Sequence, residues 1–366
     1  MFFAFLVLLG QNIYGQLLPK KKKNEDYKVP CVPWKTYKDD NAAKYFMQEV
    51  LPTQDTAKIN QFLGKGIDIN MYADGNFPMS LALKETALDL WFIEFLLKKG
   101  ANPNVCVCED IASANEKPLL AYGSISMTDR IRTSARSSAF GILSQRNHKG
   151  LSQNTYEKVM EDFRLDISIL QLFEKYGGNI SFFMPILFEK ALSDNNYPLI
   201  KYLIEKGVKV NEMSSITNFL GAKYPFYYFA IDENNIQKII DEEINIVKLL
   251  LEKGASIDAY NENLNKPNPL IAAVANGRPS VVDILLKNGA NINRINKACN
   301  EYGGCNEISP LKQAIMMNWF EMVKYLISNG ANLNLVTDGV TPLKIAQTIS
   351  KPNKDIIEFL ILNGAR

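Results

Sequence analysis

The sequence predicts an all-α fold, a stack of helix–turn–helix units in which each unit needs its neighbours to bury its apolar face. Two recurring phrases predict it. The first is a hydrophobic helix that ends in Lys/Asn–Gly–Ala and runs into Asn-x-Asn. It appears as FIEFLLKKGANPN (Phe92 to Asn104), LIKYLIEKGVKVN (Leu199 to Asn211), IVKLLLEKGASID (Ile246 to Asp258), VVDILLKNGANIN (Val281 to Asn293), MVKYLISNGANLN (Met322 to Asn334) and IIEFLILNGA (Ile356 to Ala365). Looser copies at Ile59 to Asn70 and Leu170 to Ile180 bring the number to eight. The second phrase is a Pro that opens a short apolar helix. It is clearest as TPLKIA (Thr341 to Ala346), SPLKQA (Ser309 to Ala314) and NPLIAA (Asn268 to Ala273). Looser forms begin at Phe77, Lys117, Met184 and Tyr224.

Each element has a local cause. Proline suits the first turn of a helix, where its missing N–H would have had no partner. Thr341 or Ser309 before it can cap the free N–H groups. Alanine at the end of the first helix lets the second pack close. In the second helix Val323, Leu326 and Ile327 recur at helical spacing and define one face. Gly330 follows, where the chain needs a left-handed residue. The alternating Asn-x-Asn stretch is expected to run extended toward the next unit.

Together the phrases resemble the ankyrin-repeat signature, T-P-L-H-x-A followed by V-x-x-L-L-x-x-G-A-x-x-N, at a period of about 33. The resemblance covers Asn41 to Arg366 and is tightest in the last three units. The signature's His is replaced by Lys312 and Lys344. It implies an ankyrin solenoid of about eight repeats with hairpin fingers. It also implies a concave protein-binding surface built from finger tips and the ends of the first helices. At those ends lie Lys84 and Glu85, Ile231 and Asp232, Ala275 and Asn276, Thr348 and Ile349, and the sequence Met316, Met317, Asn318, Trp319. Exposed Met and Trp suit a partner surface. If the long finger from Lys297 to Asn306 folds over them, they are packing residues instead.

The glycine spacing shows where the period breaks: 34, 77, 30, 47, 35, 41 and 34 residues from Gly66 to Gly364. The third repeat therefore carries an insertion at about 124–160, and the fifth an extra helical stretch from Asn234 to Glu243. The finger between Gly289 and Pro310 is also long. Residues 41–366 form the repeat domain and 16–40 a linker. Residues 1–15, with the apolar run Met1 to Leu9, are expected to be a cleaved signal peptide, too short in its apolar part to span a bilayer. Export to the periplasm or cell surface follows as the expectation, with a cytoplasmic location if the apolar run is not a signal, and no transmembrane span in the mature chain.

A net charge of +2 gives no general field for nucleic acid. Four of the arginines, Arg130, Arg132, Arg136 and Arg146, fall in the third-repeat insertion, a pattern suited to capturing an anionic ligand or simply to a solvated loop. Cys299 and Cys305, separated by a stretch containing two glycines, are disulfide candidates in an exported chain. Zinc is not expected, because Cys106 and Cys108 lie four repeats from Cys299 and Cys305, about 40 Å at roughly 10 Å per helix pair. With a single histidine, His148, and no phosphate loop, no catalytic residue and no cofactor is expected. The carboxylates Asp241, Glu242 and Glu243 read as a solvated helix face. A monomer holding a protein partner is the resulting expectation.

Overall fold

The computed structural model describes residues 31–33, 40–73, 76–84, 89–104, 106–108, 156–210, 215–220, 233–259, 267–299 and 305–366. They fall into two compact units, one ending at Lys190 and the other running from Ala191 to Arg366.

In the first unit, strand β1 (Cys31–Pro33) pairs in parallel with β2 (Cys106–Cys108), so part of the stretch expected to be linker belongs to a sheet. Helix α1 (Asn41–Tyr45) is capped by Asp40, whose carboxylate accepts the N–H groups of Ala42 and Ala43 at 2.8 and 3.2 Å. It continues through a π turn at Phe46–Val50 and a 3-10 turn at Leu51–Thr53, in place of a Pro-opened helix. Then come α2 (Thr56–Gly64), α3 (Pro78–Ala82), α4 (Leu90–Lys98), α5 (Tyr156–Lys175) and the start of α6 (Met184–Asp194). Helix α5 runs for 20 residues against nine in α4, so the end of the expected insertion is the beginning of this helix. The Pro phrase at Lys117 lies outside the described residues.

The second unit holds α7 (Tyr197–Glu205), α8 (Ser215–Leu220), α9 (Glu233–Glu252), α10 (Pro269–Ala275), α11 (Pro279–Lys287), α12 (Pro310–Met316), α13 (Phe320–Ser328), α14 (Pro342–Thr348) and α15 (Lys354–Leu362). It is built in two rows. The first helices α8, α10, α12 and α14 pack side by side, and the second helices pack behind them, α7 on α9, α9 on α11 and α13 on α15. Side-chain caps open the first helices as the sequence implies: Asn268, Ser309 and Thr341 accept the N–H of Ile271, Lys312 and Lys344. Ala273, Ala314 and Ala346 are buried where the two rows meet. The phrase at Tyr224 lies outside the described residues. The first-row helix packed on α10 is Ser215–Leu220, which no proline opens and whose Ile216, Phe219 and Leu220 are buried.

Every described second helix ends in a left-handed glycine, from Gly66 (φ 95°) to Gly364 (φ 88°). Beyond it the Asn-x-Asn stretch is a turn, not an extended strand. The first carboxamide accepts the backbone N–H two residues on, Asn102 from Asn104 at 2.9 Å and Asn332 from Asn334 at 2.9 Å. Short polar side chains favour such local closure over a strand. The second Asn reaches the following unit. Asn70 accepts from Asn102 N–H at 2.7 Å and donates to the Gly100 carbonyl at 2.9 Å. Asn104 does the same with Asn179 and Gly177, and Asn293 accepts from Asn332 at 2.8 Å. The Asn-x-Asn period is therefore an inter-repeat clamp.

The carboxylates on α9 are not a solvated face. Asp241 is exposed, but Glu242 pairs with Lys201 at 2.6 Å, and Glu243 is buried against Arg278 from the turn before α11. Burial raises the Glu243 carboxyl above its usual range, and the guanidinium opposes that shift. On the back row Asp283 accepts from Tyr325 at 2.7 Å, linking α11 to α13. Burial and that bond push the Tyr325 phenol up to about 12.

Candidate interaction surface

The turn between the two helices of a unit needs a residue with positive φ. Asn195 (φ 52°), Gly277 (φ 63°) and Asn318 (φ 58°) supply it in the second unit. Asn tolerates this region because its carboxamide can bond locally. The turn lifts the last residues of the first helix clear of the second row. On α12 this divides one helix sharply. Leu311, Ala314 and Ile315 are at most 2% exposed, whereas Met316 and Met317 are 52% and 42% exposed. Trp319, across the turn, is half-buried. The described strands of the long finger leave both methionines exposed.

That finger is an antiparallel hairpin, β3 (Asn296–Cys299) with β4 (Cys305–Ile308), and its register places Cys299 opposite Cys305. Cys305 is disulfide-bonded. At its base the hairpin is held by Lys312, the residue at the signature's His position. Its ammonium, 12% exposed, donates to the Glu307 carbonyl at 2.7 Å and to Asp338 at 2.6 Å. Asp338 and Glu307 close the lock reciprocally, each carboxylate accepting the other's backbone N–H, at 2.9 and 3.0 Å. The hydrogen bond from Lys312 holds the Asp338 carboxyl below the usual carboxylate range. Asp338 and Gly339 (φ 52° and 73°) form the two-residue turn of the next finger, closed by Thr337 and Val340. Val336, beside that turn, is 49% exposed.

The other expected positions are less apolar. Lys84 is exposed and its ammonium bonds to the Asn76 carboxamide. Ala275 and Asn276 are half-buried, and the Asn276 amide donates back to the Ala272 carbonyl at 2.9 Å. Thr348 turns its hydroxyl onto Lys344 of its own helix. Glu85, Ile231, Asp232, the four arginines Arg130, Arg132, Arg136 and Arg146, and His148 lie outside the described residues. Among the described residues no group of three or more His, Cys, Asp or Glu side chains could hold a metal ion. No helix among them is long and apolar enough to cross a membrane. Sequence reasoning missed the Lys312–Asp338 lock and the exposure of Val336. The signal for the lock was present in the lysine at the signature's His position.

Paired rows of short helices, left-handed glycines and clamped fingers define a helical repeat protein. Family profiles identify which: ankyrin repeats (3 copies) match residues 187–296, and ankyrin repeats (many copies) match 311–361. The chain belongs to the ankyrin-repeat family. An ankyrin repeat protein of Acanthamoeba polyphaga mimivirus is 30% identical over 138 residues, 34% of this chain and 36% of that protein. A second from the same virus is 28% identical over 132 residues, 36% of each chain. The match thus spans about a third of these relatives' length. The ankyrin repeat and KH domain-containing protein mask-1 of Caenorhabditis elegans is 35% identical over 65 residues, 18% of this chain and 2% of that protein. Among solved structures, the human ASB11 ankyrin repeat domain aligns with 49% of this chain and 69% of its own, at 22% identity and a TM-score of 0.34. Ankyrin repeats are in general protein–protein interaction modules.

Proposed function

We propose that this chain is a non-enzymatic scaffold that holds a protein partner on the first-helix ends and fingers of its second unit. The anchor is Met316, Met317 and Trp319. The observation that carries this is the division of α12: one face is sealed in the stack, while two adjacent methionines at its end remain in solvent. Large apolar side chains left in water give the stack nothing, whereas adaptable thioethers suit a partner's surface. The base of the hairpin stands in the same repeat and is already tied down by Lys312 and Asp338, which lowers the entropy cost of binding there. Export is part of the reading, supported by the apolar run Met1 to Leu9 and by the disulfide at Cys305, since such bonds persist in oxidising compartments.

The test replaces Met316 and Met317 with Gln and Trp319 with Ser in the full chain. A partner retained by the wild-type chain from its own cell envelope should bind the variant at least about tenfold more weakly, a change of about 1.4 kcal/mol. Thermal stability should hardly move, because the methionines leave no core cavity. Unchanged affinity with unchanged stability rejects this surface, and a large loss of stability reassigns the residues to packing. Fractionation of the cell, with the chain found in the cytosol, would remove the export reading alone.

A further inference from the structure

We infer that Cys31 and Cys106 form a disulfide that ties the N-terminal strand to the chain just beyond the second repeat's finger. The parallel register of β1 and β2 sets Cys31 directly opposite Cys106. Neighbouring strands lie about 4.8 Å apart, inside the Cα separation of about 4.4–6.8 Å that a disulfide accepts. Cys108 shares a face with Cys106 but lies two residues, about 6.6 Å, further along the strand, which takes it out of that window. The same chain already holds an oxidised cysteine in its other two-stranded sheet, at Cys305, where the cysteine opposite is Cys299. Both sheets therefore carry a cysteine pair in cross-strand register. Five cysteines less two bridges leaves one thiol, Cys108.

The bond forms by exchange with an incoming disulfide, a small oxidised dithiol or a disulfide-donating protein. One thiolate attacks it and expels a thiol, giving a mixed disulfide. The second thiolate then displaces the remaining half, so two cysteine thiols are oxidised and the donor leaves as two thiols. The bridge closes a long loop of chain, the case in which a cross-link constrains the unfolded state most. The proposal is independent of the partner surface on the second unit.

Peptide mapping decides it. The full chain, folded with an oxidised and reduced glutathione couple, is denatured in iodoacetamide without reductant and cut with trypsin. Val29–Lys35 should appear joined to Gly100–Arg130, since trypsin does not cut between Lys117 and Pro118, with fragmentation placing the alkylated cysteine at Cys108. Ala298–Lys312 should be lighter by two hydrogens than its reduced form. Thiol titration should find one free thiol per chain, and Cys31→Ser should raise it to two. A Val29–Lys35 peptide alkylated throughout, a linkage to Cys108, or a Cys31→Ser variant still showing one free thiol would each overturn the assignment. The thiols of Cys31→Ser are counted after denaturation in iodoacetamide, so the count remains readable even if its stability falls.

Discussion

Replacing Arg278 with Met should cost about 3–5 kcal/mol at neutral pH, the range for removing one partner of a buried ion pair. The figure rests on the burial of both groups, with side chains 6% and 9% exposed, so water cannot take over from the guanidinium. The backbone of Arg278 meanwhile keeps its bond to Ala273. The cost should depend on pH in a direction the structure specifies. Burial already raises the Glu243 carboxyl above its unfolded value near 4.5, against the pull of Arg278. A raised folded pKa means that this group's contribution is fully present below the unfolded value and is lost as pH rises through the folded one. Without Arg278 the upward shift grows, so the variant should lose more stability than the wild type as pH rises above the unfolded value. Replacing Glu243 with Leu and Arg278 with Met together should return stability to within about 1 kcal/mol of the wild type, since an apolar pair of similar volume avoids both desolvation costs. Urea unfolding of the full chain, compared at constant slope, reads all three. A double variant as unstable as Arg278→Met alone, or a single variant indifferent to pH, would refute a coupled buried pair.

Two further outcomes follow from the stack. Lys312→Met should destabilise by about 1–2 kcal/mol, the scale of hydrogen bonds to a charged group, because it leaves the Glu307 carbonyl and Asp338 without their shared donor. Asp338 is held below its usual value near 3.8, so its contribution is present above that value and lost as pH falls through the folded pKa. Acid titration of stability should therefore be shallower in Lys312→Met, and an unaltered acid limb would contradict the lock. Ending the chain after Gly339 removes α14 and α15, 16 helical residues, together with Phe359, whose ring centroid lies 5.8 Å from that of Phe320. Helicity by circular dichroism should fall by more than those residues account for, because a repeat stack loses cooperativity at an uncovered end. A fragment that keeps its remaining helicity and its melting temperature would argue against stacking.

What could be read from the sequence was local. A proline after Ser309 or Thr341, an alanine one turn on and a glycine after each second helix act within a few residues of themselves, and each occurs where expected. The misreadings of Glu243 and Cys31 are non-local, and that of Asn-x-Asn is one of turn chemistry. Glu243 looked solvated because its neighbours Asp241 and Glu242 are polar, and its partner Arg278 is 35 residues away. Asn-x-Asn looked extended because alternation imitates a strand, whereas a carboxamide closing on the N–H two residues on makes it a turn. Cys31 was assigned to a linker because a strand partner at Cys106 leaves no trace in the intervening sequence. The extra residues before Ile246 were visible in the spacing, but not that they would prolong the second helix to a continuous Glu233–Glu252. Nor could the phrase around Met316 say whether its methionines were core or surface. That depended on where the neighbouring finger went.

These limits suggest where recognition resides in such a chain. Positions that carry the stack must satisfy the same neighbours in every unit, so Ala273, Ala314 and Ala346 repeat, as do Leu270, Leu311 and Leu343. The last residues of the first helix face no successor and are free of that constraint. There the second unit changes chemistry at every step, from Ala275 and Asn276 to Met316 and Met317 to Thr348 and Ile349. The polar members of the set turn their hydrogen bonds inward, Asn276 onto Ala272 and Thr348 onto Lys344. Only Met316 and Met317, among the described residues there, present large side chains in solvent that the protein itself does not engage. A surface that the fold neither needs nor satisfies, set beside a hairpin tied at its base by Lys312, is where a partner has most to gain.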